Sequence, residues 1–250
     1  MTDAALRTEG LSRNFGGLAA VSGVSIECHA GRLHAVIGPN GAGKTTLINL
    51  LSGDLAPSAG RIEVLGRDVT RLAAHRIAQL GVGRSYQRTN VFMRFTAFEN
   101  CRLAAQSRLP SSMRFVRPAR RYAHVNEAAA HALALAEPGG RAETVAADMS
   151  HGERRQLEVA MTLATGPKVL LLDEPLAGMG ADESARMVQL LRKLAPAHAT
   201  LLVEHDMDAV FALADTLTVM VNGRVLASGR PEQVRANPDV QSAYLGEIDD

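Results

Sequence analysis

The stretch Gly38-Pro39-Asn40-Gly41-Ala42-Gly43-Lys44-Thr45-Thr46 reads G-x-x-x-x-G-K-T, the spacing of a phosphate-binding loop. Its glycines allow a tight turn whose backbone N–H groups point inward, and a following helix adds its positive end, so the loop is an anion site. On this pattern Lys44 reaches the β- and γ-phosphates of a nucleotide, and Thr45 sets its hydroxyl on Mg²⁺. Three further polar positions close apolar runs: Gln87 after Leu80–Tyr86, Asp173-Glu174 after Val169–Leu172, and His205 after Thr200–Glu204. Ligands of a parallel α/β sheet bind at the carboxyl ends of its strands, so these groups are expected to meet the loop in one crevice. Asp173 is then placed to hold Mg²⁺, and Glu174 to orient or deprotonate a water attacking the γ-phosphate. A strand-end acid pair also caps helices, and a lone histidine is often structural. The loop upstream is what favours the chemical roles, with His205 as a contact to the γ-phosphate.

The elements that must position these residues are legible in outline. Leu33–Ile37 has the length and β-branching of a strand, and Leu47–Leu51 is helical in pattern with Gly53 as its stop. Residues 4–37 alternate between short strand-like pieces and turns, broken at Phe15-Gly16-Gly17; Arg61–Leu65 is another strand and Gly66-Arg67-Asp68 a turn. These pieces predict a small antiparallel sheet beside the main one. From Arg88 to Ala147 alanine-rich helical stretches such as Glu127–Ala136 are separated by prolines, and five arginines fall between Arg108 and Arg121. The arginine cluster reads as a solvated face or loop, with a lipid-headgroup or partner contact as the minority reading. Ser150-His151-Gly152-Glu153 is an S-x-x-E capping box opening a helix that stops at Gly166-Pro167. Asn222-Gly223 between two strand-like runs predicts a hairpin, and Pro231 and Pro238 open two short terminal helices.

Composition sets bounds. The 250 residues are 46% apolar with a net charge of +1, which gives no general attraction to nucleic acid or anionic lipid. Cys28 and Cys101 lie far apart without C-x-x-C spacing, arguing against a disulfide framework or a zinc site. No signal peptide is read at the start, and no apolar run reaches the roughly 18 residues of a membrane span. Any membrane role is expected to borrow its span from another chain.

With these residues quoted, the sequence resembles the ATP-binding subunits of ABC transporters along essentially its whole length. Gly38–Thr46 matches Walker A, Gln87 the Q-loop, Met149–Glu153 the signature motif, Leu170–Pro175 Walker B with the catalytic glutamate, and His205 the switch histidine. Phe15 falls where the family stacks an aromatic on adenine; alone it would read as core or turn packing. The resemblance implies an α/β P-loop NTPase core with a mostly parallel sheet, a small antiparallel β subdomain and an inserted helical subdomain. On that reading residues 1–250 form one ATPase domain, with 1–87 and 148–250 as its nucleotide-binding core and 88–147 as the helical part. It implies ATP and Mg²⁺ as cofactors, with Glu174, His205 and Gln87 in catalysis and Thr45, Gln87 and Asp173 at the metal. It further implies a head-to-tail dimer, with the same chain or a paralogue, in which Ser150, Gly152 and Glu153 of one subunit close over nucleotide held by the other. Implied partners are membrane permeases and, indirectly, a periplasmic substrate-binding protein, at the cytoplasmic face of the inner membrane, without nucleic acid. The sequence departs from the family's usual pattern at His151, Glu153 and Gly180, the last where a D-loop aspartate is usual. Asn14–Gly17, His205-Asp206-Met207 and the ending Asn237–Val240 … Tyr244–Glu247 are similar to the branched-chain amino-acid importer branch. A urea importer, the lipopolysaccharide-export ATPase and a non-transport ABC ATPase are the alternatives.

Overall fold

The computed structural model describes residues 4–86, 90–109, 121–136 and 141–245. In chain order the strands and helices are β1 (Leu6–Phe15), β2 (Leu18–Val24), β3 (Glu27–Cys28), β4 (Leu33–Ile37), α1 (Lys44–Ser52), β5 (Ala59–Val64), β6 (Arg67–Asp68), α2 (Ala74–Gln79) and β7 (Val82–Arg84). There follow α3 (Ala97–Gln106), α4 (Ala123–Ala136), α5 (His151–Ala164), β8 (Val169–Asp173), α6 (Ala181–Leu194), β9 (Ala199–Val203), α7 (Met207–Leu213), β10 (Thr216–Val221), β11 (Arg224–Gly229), α8 (Pro231–Arg235) and α9 (Pro238–Leu245). The chain divides into two compact units, one of residues 1–82, 168–174 and 191–250, the other of 83–167 and 175–190.

The first unit carries both sheets. One has the order β11-β10-β4-β9-β8, with β7 entering at its edge. The β10–β4, β4–β9 and β8–β9 pairs are parallel, and β11 runs antiparallel to β10. Strands β4, β8 and β9 are buried at every residue, which is why their sequences are continuous apolar runs rather than alternations. The second sheet is antiparallel, in the order β2-β1-β5-β6 with β3 also on β1. Leu6, Leu11, Val21, Val24 and Ile62 from it share one core with Leu47, Ile48, Leu51, Leu171, Leu201 and Val203. Its first strand is one ten-residue element with shifts of register, not several short pieces. The turn expected at Gly66–Asp68 is confined to Leu65-Gly66, both at positive φ, and Arg67–Asp68 pair back onto β5 as β6.

In the second unit α3, α4 and α5 pack pairwise. This unit takes in the alanine-rich stretch and α5 and, after residues 168–174 of the first unit, resumes at 175–190 with most of α6. Helix α3 begins at a capping box: Thr96 Oγ1 accepts from the Glu99 N–H at 3.1 Å and the Glu99 carboxylate accepts from the Thr96 N–H at 3.0 Å. Asn100, fully buried one turn on, accepts from the Phe92 N–H at 2.8 Å and donates to the Thr96 carbonyl at 2.9 Å, fixing the loop before the helix.

Candidate functional site

Local sequence builds the phosphate loop at the end of β4. Gly38, Gly41 and Gly43 all stand at positive φ, and Gly43 is the residue at which α1 begins. A Cβ on Gly38 would lie 2.1 Å from the Met220 carbonyl oxygen, and one on Gly43 2.3 Å from that of Ala20. Both must therefore be glycine, so that a strand and a hairpin can press against the loop. The turn at Asn222-Gly223 is part of that support. Both residues have positive φ, as a two-residue hairpin turn requires; the Gly223 N–H donates to the Ala42 carbonyl at 3.0 Å, and the Ser22 N–H donates to that of Gly223 at 2.8 Å. Sequence reading found the hairpin but not its docking on the loop, which no local pattern encodes. Lys44 is buried and donates to the carbonyls of Gly38 and, at 2.9 Å, Pro39. A loop whose own carbonyls hold the ammonium keeps that charge at its centre. Thr45 is exposed beside it and Thr46 half-buried.

Strand order brings the other groups to the same edge. Strands β4, β9 and β8 are consecutive and parallel, so the loop, His205 and Asp173-Glu174 all follow carboxyl ends of neighbouring strands. Asp173 is almost fully buried. Glu174 has φ 49° and its N–H donates to the Val203 carbonyl at 2.9 Å; left-handed backbone at a non-glycine residue costs energy and clusters at functional positions. Glu204 is completely buried and accepts from the His205 N–H at 3.1 Å, while the His205 side chain is 65% exposed. Asp206 caps α7 through the Ala209 N–H at 3.0 Å, holding the turn behind the histidine. Phe15 ends β1 against Leu18, 46% exposed, with the Arg13 guanidinium 4.8 Å from its ring centre. Such an exposed ring lies outside the buried core. Gln87 lies outside the described residues, as do Pro110 and Arg114, Arg117 and Arg120 of the arginine cluster.

The second unit carries Ser150, Gly152 and Glu153 at the start of α5. The capping box is formed: Ser150 Oγ accepts from the Glu153 N–H at 3.2 Å, and the Glu153 carboxylate accepts from the Ser150 N–H at 2.8 Å. Glu153 also pairs with Arg141 at 3.1 Å. His151 sets Nε2 3.3 Å from the Ala177 carbonyl oxygen, beside Gly178. Two contacts here were not foreseen. Ser150 donates to Glu183 at 2.9 Å. Lower on the helix, buried Arg155 and Glu158 pair at 3.2 Å and hold both backbone groups of Tyr86, Arg155 donating to its carbonyl and Glu158 accepting from its N–H. Both join residues far apart in sequence, so spacing could not reveal them.

A bare-backbone loop, a buried lysine and a strand-end acid pair beside an exposed histidine define a P-loop nucleotide site, and the comparisons place the chain within that class. The ABC transporter family profile matches residues 21–177, and the chain belongs to that family. A second profile, of the branched-chain amino acid ATP-binding cassette transporters, matches residues 224–250. Among curated proteins, the high-affinity branched-chain amino acid transport ATP-binding protein BraF of Pseudomonas aeruginosa is 40% identical over 249 residues, covering 97% of this chain and 98% of that one. LivG of Escherichia coli, with the same description, is 38% identical over 255 residues, covering 99% and 100%. Among solved structures, the ADP conformation of MJ1267, an ATP-binding cassette of an ABC transporter, superposes with a TM-score of 0.86 at 29% identity, covering 98% of this chain and all of that one.

Proposed function

We propose that this chain hydrolyses ATP to power an importer of branched-chain or related amino acids, peripheral to the cytoplasmic face of a membrane and bound to permease subunits. The observation that carries the ATPase reading is the convergence of the phosphate loop, His205 and Asp173-Glu174 at the ends of three consecutive parallel strands. The C-terminal profile and the full-length likeness to BraF and LivG support the substrate class. No described helix is long and apolar enough to cross a membrane, so transport needs other chains.

The residues divide the work. Loop N–H groups and Lys44 bind the β- and γ-phosphates, and Phe15 receives the adenine. Asp173, Thr45 and Gln87 would hold Mg²⁺, which when bound neutralises charge on the phosphate oxygens; the buried carboxylate of Asp173 and the exposed hydroxyl of Thr45 suit a hard cation. Glu174 orients the attacking water and takes its proton, His205 contacts the γ-phosphate, and Ser150, Gly152 and Glu153 of a second ATP-binding subunit, the same chain or a paralogue, close the site.

Uptake of labelled leucine, isoleucine and valine in cells lacking the gene tests the reading. Loss of uptake, restored by the wild-type chain but not by Glu174→Gln, is expected. Normal amino-acid uptake with loss of urea transport or of lipopolysaccharide export would replace the substrate.

A further inference from the structure

Glu183 stands in the first turn of α6 and reaches across to the start of α5. One of its carboxylate oxygens accepts from the Ser150 hydroxyl at 2.9 Å. The carboxylate lies flat against Gly152: a Cβ placed on that residue would be 2.4 Å from Cδ of Glu183 and 2.5 and 2.7 Å from its two oxygens. The backbone N–H groups of Gly152 and Gly180 are close enough to favour its charged form. The Ser150 hydroxyl, followed by these N–H groups, holds the carboxyl below its ordinary range, so it is anionic at neutral pH.

The start of α5 needs no such guest. Its capping box is complete with Ser150 and Glu153 alone. Ser150 Oγ already accepts from the Glu153 N–H, and its single hydrogen is given to Glu183. A hydroxyl with its hydrogen engaged has nothing to donate to a phosphate oxygen. A carboxylate at the same donors also repels an arriving phosphate.

We propose that the Glu183–Ser150 contact is autoinhibitory: the carboxylate occupies the hydroxyl and covers the Gly152 backbone that nucleotide on a second subunit requires, and must swing away before the dimer closes. The proposal rests on the reading of Ser150 as a γ-phosphate contact. Gly180 occupies the place of the usual D-loop aspartate, so that position adds no carboxylate beside Glu183.

The test uses the full chain carrying Glu174→Gln, alone and combined with Glu183→Gln or Glu183→Ala, with the dissociation constant of the MgATP-bound dimer measured by sedimentation. The glutamine keeps the size and an acceptor oxygen and removes only the charge, so it separates inhibition from folding; melting temperatures report the fold. Both substitutions are expected to tighten the ATP-bound dimer about tenfold or more, glutamine without loss of melting temperature. A dimer that both substitutions leave unchanged or weaken would overturn the autoinhibitory role while the sandwich stands. A Glu174→Gln parent that forms no dimer with MgATP, with itself or with its paralogue, would overturn the sandwich, and this role with it.

Discussion

Single residues decide where charge sits in this protein. Lys44 is buried with its ammonium on loop carbonyls, so its removal takes the one cation from the loop without opening the core. Lys44→Ala should fold normally and lose turnover by about 10²–10³-fold, the usual cost of deleting one charged transition-state donor; titration calorimetry with ATP should show weakened binding, and undiminished affinity would refute the assignment. Phe15 offers a half-exposed ring at a hairpin end. Phe15→Ala should weaken ATP and GTP alike by ~1–3 kcal/mol while Phe15→Tyr is tolerated; unchanged affinity with a lowered melting temperature would make it a packing residue instead. His34, upstream of the loop on β4, is a different case. Its Nδ1 lies 2.8 Å from the Glu27 carbonyl and its Nε2 2.7 Å from the Thr218 hydroxyl, which meets Ser228 at 2.7 Å. That network suits a neutral ring donating through Nδ1, and burial, with His29 nearby, pushes its pKa down. The unfolded chain therefore takes up a proton first as pH falls. Stability from His34 is complete above the ordinary histidine value of about 6.5 and is lost as pH drops below it toward the folded value. Thermal melts from pH 8 to 5 should show a steeper acid loss in wild type than in His34→Gln, and parallel curves would dismiss the residue as its source.

At the scale of elements, a hairpin braces the phosphate loop. Gly223 brings its N–H to Ala42, and a Cβ there would meet the Ala20 carbonyl at 2.8 Å in a left-handed backbone. Gly223→Ala should cost about 1–3 kcal/mol in denaturant midpoint and weaken ATP binding, although the residue touches no nucleotide; a loss of stability with ATP affinity intact would mean that the loop does not depend on its brace. This division also explains what the sequence revealed. The loop, the Ser150–Glu153 box, the Asn222-Gly223 turn and the prolines opening α8 and α9 are written in residues a few positions apart, where local backbone preferences decide. The buried strands β4, β8 and β9 were visible as apolar runs, and a strand-end rule placed their chemistry. Helix α2 was missed because it is six residues long with one buried side chain. The Glu183–Ser150 contact, the hold of Arg155 and Glu158 on Tyr86 and the hairpin brace were invisible because each joins residues distant in the chain, chosen by packing rather than by pattern.

At the scale of the whole molecule, the question is how ATP turnover reaches a membrane. The second unit carries an apolar surface: Phe92, Met93, Phe95 and Leu103 are all exposed, and the Phe92 and Phe95 rings stack with centres 5.4 Å apart. These rings are not on a slack loop. Asn100, fully buried, bonds to the backbone at Phe92 and Thr96 and so fixes the segment between them. A large apolar group that is both exposed and held in place marks an interaction surface, and in sequence it follows closely on Gln87, the residue proposed to help hold Mg²⁺. The expected partner is a cytoplasmic helix of a permease, laying an apolar face on the rings. Cysteines introduced at Met93 or Leu103 should cross-link to a membrane subunit in the assembled transporter. Phe92→Asp should abolish that cross-link and ATP-driven uptake, while the isolated chain keeps its basal hydrolysis because the ring lies outside the nucleotide machinery. Asn100→Ala, which frees the loop without changing its surface, should weaken assembly in the same direction but less. Cross-links arising only from the hairpin at Asn222, with none from the aromatic segment, would place the permease on the other unit and refute this docking surface.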